Sequence, residues 1–375
     1  MNKSKDGSKG INWKMLVGTN IVPILFIVLS AVAIPIAGYS GTYIVREIVT
    51  RLGRNTFLVL ALLIPVMAGM GINFGLALGA YAGQISMILI TDWKIGGPAG
   101  MFLAMLISTP ISILLGGFAG FLLNRAKGRE MITSYILGFF MLGIYQAVVL
   151  FAMGPVIPIS DPSLFISRGF GIRSSIELGG VRGSFDRLLD NILGVSIQIA
   201  GIQIPVFSLL LIAVLCLLII WFRKTKFGQE IRAVGQDMGV SATAGINVDR
   251  TRIISMIIST VLAGYGQLIY LQNIGTMSVY SGADTVALFA AAALLVGGAT
   301  VNKAGIPSVI LGTALFHMLF IVMPAASNRA FGSAVMSEYF RSIISYSAVT
   351  LALILNAWNR HKDKERARFG NRANN

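Results

Sequence analysis

Residues 95–124 read IGGPAGMFLAMLISTPISILLGGFAGFLLN, and no acidic or basic side chain occurs in them between Lys94 and Arg125. A helix needs roughly 20 apolar residues to cross the hydrocarbon of a bilayer, and a charge at its centre costs about 2.5–3.5 kcal/mol on insertion scales. Similar uncharged stretches occupy residues 15–45, 56–91, 131–160, 191–222, 253–283, 285–302, 304–328 and 342–359. The pattern predicts an all-α polytopic membrane protein.

The composition supports this class and excludes several others. Hydrophobic residues make up 55% of the chain and charged residues 12%, against about 25% charged in a soluble domain. The apolar runs are continuous, whereas the strands of a membrane barrel alternate apolar and polar residues. The net charge of +15 lies in short loops and tails, without the aromatic-interleaved basic domain of a nucleic-acid-binding protein. A single cysteine excludes a disulfide framework, and two histidines argue against a histidine metal site.

The distribution of lysine and arginine predicts the topology. Cytoplasmic loops are enriched in these residues, and the basic segments are the two tails, residues 125–129 and residues 223–252. All four fall on one side if the stretch 56–91 crosses twice, with a break in the Gly-rich residues 69–83. We therefore expect ten helices with both termini in the cytoplasm: residues 16–36, 57–72, 76–91, 98–123, 131–153, 202–222, 253–273, 284–299, 305–324 and 342–359. An eight-helix arrangement with a re-entrant loop at 69–83 is the alternative.

This topology divides the chain into a cytoplasmic tail at 1–15, a transmembrane domain at 16–359 and a basic cytoplasmic tail at 360–375. Residues 154–200 form a segment on the outer side. It is either a connecting loop packed over the outer mouth or part of a docking surface for an external partner. Residues 223–252 form the main cytoplasmic loop. Tyr43–Asn55 has an amphipathic pattern, and we interpret it as a short helix lying in the membrane interface.

The cytoplasmic loop contains the signals of a short capped helix. Asp237 is a favoured N-cap residue, Val240 and Ala244 give the following turn a compact apolar face, and Gly245 supplies a left-handed stop. A helix of this kind across the cytoplasmic mouth fits the groove of another protein. Most amphipathic cytoplasmic loops, in contrast, simply lie at the interface.

Three separate motifs carry a resemblance to a known family. Residues 230–248 (EIRAVGQDMGVSATAGINV), 71–81 (GINFGLALGAY) and 295–314, with its Gly-Gly, Gly-Ile-Pro and Gly-Thr-Ala groups, occur in this order at the expected spacing. Together they resemble the permease subunits of ABC importers in the ribose, nucleoside and branched-chain amino-acid superfamily, over about residues 40–355. The resemblance implies a type II importer-like permease in the cytoplasmic membrane of a bacterium or archaeon.

The resemblance also implies partners and a coupling site. The permease would pair with a second copy or a paralogue, receive solute from an external binding protein, and be moved by cytoplasmic ABC ATPases. The expected ATPase-coupling residues are Glu230, Arg232, Gly235, Asp237, Val240, Ala244 and Gly245. Because the chain has no Gly-x-x-x-x-Gly-Lys-Ser/Thr loop, we expect it to bind no cofactor and not to be an enzyme. ATP and Mg would then be used by the partner ATPase.

Polar and aromatic side chains within the predicted helices are the candidates for the solute pathway. Amides in mid-membrane need a partner or a wet cavity, and the candidates are Asn73, Phe74, Gln84, Tyr145, Gln146, Tyr265 and Gln267. Interhelical hydrogen bonding is the alternative role for each of them. Asp284 begins a predicted helix, and we interpret it as an N-cap rather than as a solute contact.

These patterns favour import of a neutral polar solute, a sugar or a nucleoside. The predicted helices carry no chain of acids and histidines for proton coupling, which argues against a stand-alone secondary carrier. A branched-chain amino acid is the alternative solute, because the motif at 71–81 resembles both branches of the superfamily. A membrane-embedded enzyme is disfavoured, since the cytoplasmic acids do not cluster along the sequence.

Overall fold

The computed structural model of the chain describes residues 21–166, 171–188, 198–199, 202–203, 205–300 and 303–333, with scattered positions between 335 and 354. Its helices are α1 (Ile21–Ala37), α2 (Gly41–Ala61), α3 (Leu63–Met67), α4 (Leu76–Asp92), α5 (Gly97–Arg125), α6 (Glu130–Ala147), α7 (Val206–Phe222), α8 (Lys226–Gln236), α9 (Met238–Thr243), α10 (Val248–Ile274), α11 (Val286–Val296) and α12 (Ile306–Phe331). Its strands are β1 (Ser175–Glu177), β2 (Gln198–Ile199), β3 (Ile202–Gln203) and β4 (Thr276–Ser278).

The described helices confirm an all-α polytopic membrane protein. Five are long and apolar enough to cross a membrane, namely Gly41–Met67, Gly97–Arg125, Glu130–Ala152, Val248–Ile274 and Ile306–Phe331. Helices α7 and α8 together would make a sixth, although a bend of 76° separates them. Helices α1, α4 and α11 are shorter apolar helices. The two short antiparallel sheets, β1–β4 and β2–β3, are additions that the sequence did not predict.

Most predicted boundaries lie close to the observed ones. The predicted helices 76–91, 98–123 and 131–153 match α4, α5, and α6 with its following π-helical turn Val148–Ala152. Helix α10 begins five residues before the predicted 253, because Asn247 caps it by accepting a hydrogen bond from the Arg250 amide at 3.0 Å. Helix α12 continues past the predicted 324 to Gly332, whose φ of +67° ends it.

Other boundaries were less accurate or fall outside the described residues. The predicted helix 202–222 begins only at 206, since residues 202–203 form strand β3, and the predicted helix 284–299 shrinks to 286–296. The start of the predicted helix 16–36, much of 342–359, and the tails at 1–15 and 360–375 lie outside the described residues.

The interpretation of Tyr43–Asn55 as a separate interfacial helix was wrong. These residues belong to the single helix α2, which continues without a break to Ala61. Gly53 lies within this helix and packs close to Pro205, since a methyl group on Gly53 would lie 3.2 Å from the Pro205 ring. Arg54 finds a protein partner as well, donating to the Asn273 side-chain oxygen at 3.3 Å.

Glycines form the break between α3 and α4, and other glycines allow α4 to pack closely in the bundle. The break covers residues 68–75, where Gly69 and Gly71 adopt φ values of +73° and +71°, which side chains other than glycine rarely adopt. It is longer than the gap 73–75 between the predicted helices 57–72 and 76–91, because α3 already ends at Met67. Gly79 and Gly83 lie inside α4, as predicted. A methyl group on Gly79 would lie 2.1 Å from the Thr260 carbonyl oxygen of α10. Helix α10 also packs against α5 and α2, and so forms the centre of the bundle.

The described part of the predicted outer segment 154–200 packs against the ends of the helices. The buried Asp92 carboxylate, at the end of α4, accepts hydrogen bonds from the Ser160 and Asp161 amides at 2.7 and 2.8 Å. Strand β1 pairs with β4, which follows α10 directly, and the Gly183 amide donates to the Gln272 carbonyl at 2.8 Å. These contacts favour the packed connecting loop of the two alternatives. An external docking surface stays a prediction.

Candidate functional site

Helices α8 and α9 form a distinct unit at one end of the bundle. Thr225 caps α8 by accepting a hydrogen bond from the Gly228 amide at 3.2 Å, and α8 leaves α7 at an angle of 76°. Ile231 and Val234 are buried on one face of α8, whereas Arg232 is exposed and Glu230 is half-buried. An amphipathic helix at such an angle to a spanning helix lies across the end of the bundle.

The predicted capped helix is present as α9. Asp237 Oδ1 accepts hydrogen bonds from the amides of Gly239 and Val240 at 2.7 and 3.0 Å, and Gly245 follows the helix with a φ of +82°. The side chain of Val240 is 66% exposed, and Ala244 is exposed beside it. The local prediction of cap, helix and stop is therefore confirmed, and α9 presents an apolar side chain that nothing in the described chain covers.

Gly235 joins this unit to the break in the membrane helices. A methyl group on Gly235 would lie 2.0 Å from the Met67 carbonyl oxygen and 3.0 Å from the Gly69 nitrogen. Such distances mean that the backbone of α8 rests directly on the backbone of residues 67–69. Contact of this kind leaves no compliant side chain between the two segments.

A buried ion pair, which the sequence did not predict, makes a second connection. Arg252, fully buried in α10, forms an ion pair and hydrogen bond with Glu130, the first residue of α6. A second nitrogen of the Arg252 guanidinium contacts the Met238 sulfur of α9 at 3.6 Å. The two charges stand 122 residues apart in sequence, so no local pattern could pair them. What the sequence does show is that Glu130 and Arg252 each directly precede an uncharged stretch.

Removal of one partner of this ion pair should destabilise the bundle strongly. Arg252→Met leaves the buried Glu130 carboxylate without its cation, and the loss of one partner of a buried pair costs about 3–5 kcal/mol. We expect a clear fall in the unfolding temperature of the detergent-solubilised protein. Glu130→Leu combined with Arg252→Met removes both charges and should recover much of the loss. A double variant no more stable than Arg252→Met would contradict this account.

Three of the predicted pathway residues hold one non-helical segment in place. The amide of Gln84, the hydroxyl of Tyr145 and the amide of Gln146 donate to the successive carbonyls of residues 278, 279 and 280 at 3.5, 2.8 and 2.9 Å. Backbone that is not helical within a membrane needs such partners. The structure thus brings these three side chains together on the segment that leads to α11, and their contact with solute stays a prediction.

The other predicted amides and the tyrosine lie apart. Asn73 is buried at the break, where its side-chain oxygen accepts from the Gly75 amide at 2.9 Å. Tyr265 bonds to the Thr109 hydroxyl at 2.7 Å. Gln267 is fully buried in α10 beside Gly83, and its side-chain amide has no hydrogen-bond partner in the described structure.

Phe74, the remaining candidate, borders a groove between α4, α6 and the start of α11. The space in the groove is about 360 Å³, a figure that includes space open to solvent. Its aromatic lining includes Tyr81, Tyr135 and Phe139, for which the sequence predicted no role in the pathway. Phe74 meets the edge of Tyr135 with ring centroids 5.3 Å apart. The signal available in the sequence was the spacing of Tyr135 and Phe139, four residues apart on one helix, although lipid-facing residues show the same spacing.

The groove also contains Asp284, for which the predicted role was wrong. Helix α11 begins at Val286, its N-cap position is Thr285, and no side chain caps it. The helix starts later than predicted because residues 281–286 form turns, with hydrogen bonds from the Asp284 amide to the Ser281 carbonyl and from the Val286 amide to the Ala283 carbonyl. Asp284 therefore precedes the helix, and its side chain is exposed.

Comparison with known proteins gives a consistent result. A family model described as the branched-chain amino acid transport system / permease component matches residues 44–355. The nucleoside ABC transporter permease protein NupB of Lactococcus lactis is 24% identical over 331 residues, 84% of each chain. The permease NupC of the same organism is 29% identical over 230 residues, 60% of this chain and 66% of that protein. The xylose transport system permease protein XylH of Haemophilus influenzae is 27% identical over 162 residues, 43% of this chain and 41% of that protein. No solved structure matches this chain.

Proposed function

Because this chain belongs to the permease family of branched-chain amino acid transport systems, we propose that it forms part of the pathway of an ABC importer for a nucleoside or a sugar. The full-length similarity to a nucleoside permease supports a nucleoside first, and the shorter similarity to a xylose permease supports a sugar. A branched-chain amino acid is the second candidate, on the description of the family model.

The observation that carries the proposal is the backbone contact between Gly235 and residues 67–69. In this proposal an ABC ATPase binds the exposed face of α9 from the cytoplasm, and the coupling residues are those expected from the sequence, Glu230 to Gly245. ATP and Mg act in that ATPase. Its closure displaces α9 and α8, and Gly235 transmits the displacement to the break between α3 and α4. The chain itself hydrolyses nothing.

The proposed arrangement in the membrane is the one with ten crossings and both termini in the cytoplasm. It places the α8–α9 unit on the cytoplasmic side and residues 154–200 on the outer side, with the transmembrane domain at 16–359. A second permease, identical or paralogous, completes the pathway, and an external binding protein delivers the solute. The membrane is the cytoplasmic membrane of a bacterium or archaeon.

Uptake by the purified complex tests the proposal. The complex is isolated through an affinity tag on this chain, reconstituted in liposomes with its binding protein, and given labelled uridine, xylose or leucine. We expect uptake that requires ATP and that favours uridine or xylose. Uptake of leucine alone would assign the branched-chain alternative. Solute flux by this chain without any ATPase would contradict an ABC permease and support a secondary carrier.

A further inference from the structure

The carboxylate of Asp284 is unusual in the groove between α4, α6 and α11. Its side chain is exposed there, and within the described residues it forms no hydrogen bond or ion pair. The other described lining residues of the groove are aromatic, aliphatic or glycine. Among the side chains of these described residues, the other polar groups are the hydroxyls of Tyr81 and Tyr135. Among the described residues, none supplies this carboxylate with a hydrogen-bond or ion-pair partner.

The groove lies alongside the membrane helices and not beyond their ends. Tyr81, which borders the groove, precedes the end of α4 at Asp92 by enough residues to lie roughly 16 Å below it at 1.5 Å per residue. The turn that leads to Asp284 is packed at a similar level. A methyl group on Gly282 would lie 2.7 Å from the Gln84 amide nitrogen, and Gln84 lies roughly 12 Å below the end of α4.

A carboxylate at this level of the bundle is unfavourable against lipid. Insertion of an aspartate at the centre of a membrane helix costs about 2.5–3.5 kcal/mol, and acids within membrane proteins face the interior or a water-filled cavity. Water on the side of the groove where Asp284 is exposed would solvate the carboxylate. In a permease, water at this depth belongs to the solute pathway.

We propose that Asp284 lines the pathway and accepts hydrogen bonds from the hydroxyl groups of a ribonucleoside whose base packs against Phe74, Tyr135 and Phe139. This inference rests on the proposed function and names its substrate class. Tyr135 and Phe139 are 45% and 58% exposed and meet edge to face at 4.8 Å, so part of both side chains is uncovered in the single chain.

The chemistry of the groove separates the candidate solutes. Ionised carboxylates accept hydrogen bonds and donate none, so Asp284 suits the adjacent hydroxyls of ribose. Aromatic rings bind a planar base by offset stacking or by edge-to-face contact. Xylose offers the hydroxyls without the base, and leucine offers neither.

Thiol labelling tests whether Asp284 faces water. The chain has one cysteine, Cys216, so Cys216→Ala provides a clean background for Asp284→Cys. Thiols react as thiolates, which form in water, and we expect a charged methanethiosulfonate reagent to modify Asp284→Cys quickly in the intact complex. Phe140→Cys is the control, since Phe140 is 59% exposed on α6 but does not line the groove. Equal, slow reaction at both positions would overturn the proposal.

Uptake by Asp284→Asn tests the contact with the hydroxyls. The variant keeps the size of the side chain and removes the charge. We expect uridine uptake to fall by about tenfold or more, the ratio for loss of a hydrogen bond to a charged group, whereas uptake of 2′,3′-dideoxyuridine should change little. Glu177→Gln is the control, at an exposed acid of β1. It should leave the uptake of uridine and of 2′,3′-dideoxyuridine unchanged.

The outcomes separate failure of this inference from failure of the proposed function. If the wild-type complex takes up no nucleoside or sugar with ATP, the proposed function fails. If wild-type uridine uptake is normal and Asp284→Asn retains it in full, the function stands and the role of Asp284 is refuted. An equal loss for uridine and its dideoxy analogue also refutes the hydroxyl contact.

Discussion

Gly235→Leu is expected to abolish ATP-driven uptake while leaving the chain inserted in the membrane. The leucine side chain would begin 2.0 Å from the Met67 carbonyl oxygen, so α8 must move away from residues 67–69 to accommodate it. Overpacking of this kind costs about 1–3 kcal/mol. The new separation removes the direct backbone contact through which α8 moves α3. Uptake of labelled solute by the reconstituted complex, compared with its rate of ATP hydrolysis, measures the effect.

Gly143→Leu is the matched control for this variant. Gly143 also lies within a helix, α6, but a methyl group there would meet nothing within 4 Å. We expect Gly143→Leu to insert and transport normally. Continued ATP hydrolysis without uptake in Gly235→Leu would show that the ATPase still binds and that its movement no longer reaches α3. Normal uptake in Gly235→Leu would contradict the transmitting role of this contact.

Asp237→Lys should also abolish uptake, but by loss of the helix that the ATPase binds. Asp237 Oδ1 holds the amides of Gly239 and Val240, and loss of an N-cap costs about 1 kcal/mol. A six-residue helix such as α9 has little other stabilisation, since isolated helices this short are marginal. We therefore expect α9 to fray and the ATPase to dissociate, which co-purification through a tag on the permease would detect.

Asp237→Asn separates the cap from the charge. Asparagine accepts the same backbone hydrogen bonds and is an equally favoured cap, so this variant should keep most of its ATPase and its uptake. If Asp237→Asn fails as completely as Asp237→Lys, the carboxylate contacts the partner directly. Unimpaired uptake in Asp237→Lys would count against docking through α9.

The parts of the structure that depend on neighbouring residues in sequence were predictable. Uncharged runs predict membrane helices because the cost of a buried charge applies residue by residue. The bounds of α4, of α5, and of α6 taken together with its π-helical turn match within about two residues. Asp237 and Gly245 act on amides and dihedral angles a few positions away, so α9 was predicted together with its cap and its stop.

The parts that depend on tertiary contacts were not predictable. Helix α2 contains Arg46, Arg51 and Arg54, and Arg54 hydrogen-bonds to Asn273, which is distant in sequence. The pairing of Arg252 with Glu130 likewise has no local signal in the sequence. Asp284 precedes α11 instead of capping it, since distant side chains, Tyr145 and Gln146 among them, fix the preceding segment. Aromatic residues that border a groove have the same spacing as those that face lipid.

Labelling of Val240→Cys from the two sides of the membrane tests most directly whether an ATPase drives the bundle through α9. In the Cys216→Ala background, a membrane-impermeant thiol reagent should modify this position in inside-out vesicles stripped of the ATPase. It should not do so in right-side-out vesicles, and rebinding the ATPase should protect the thiol. Modification from the outer side would place α9 beyond the reach of any cytoplasmic ATPase and contradict the account.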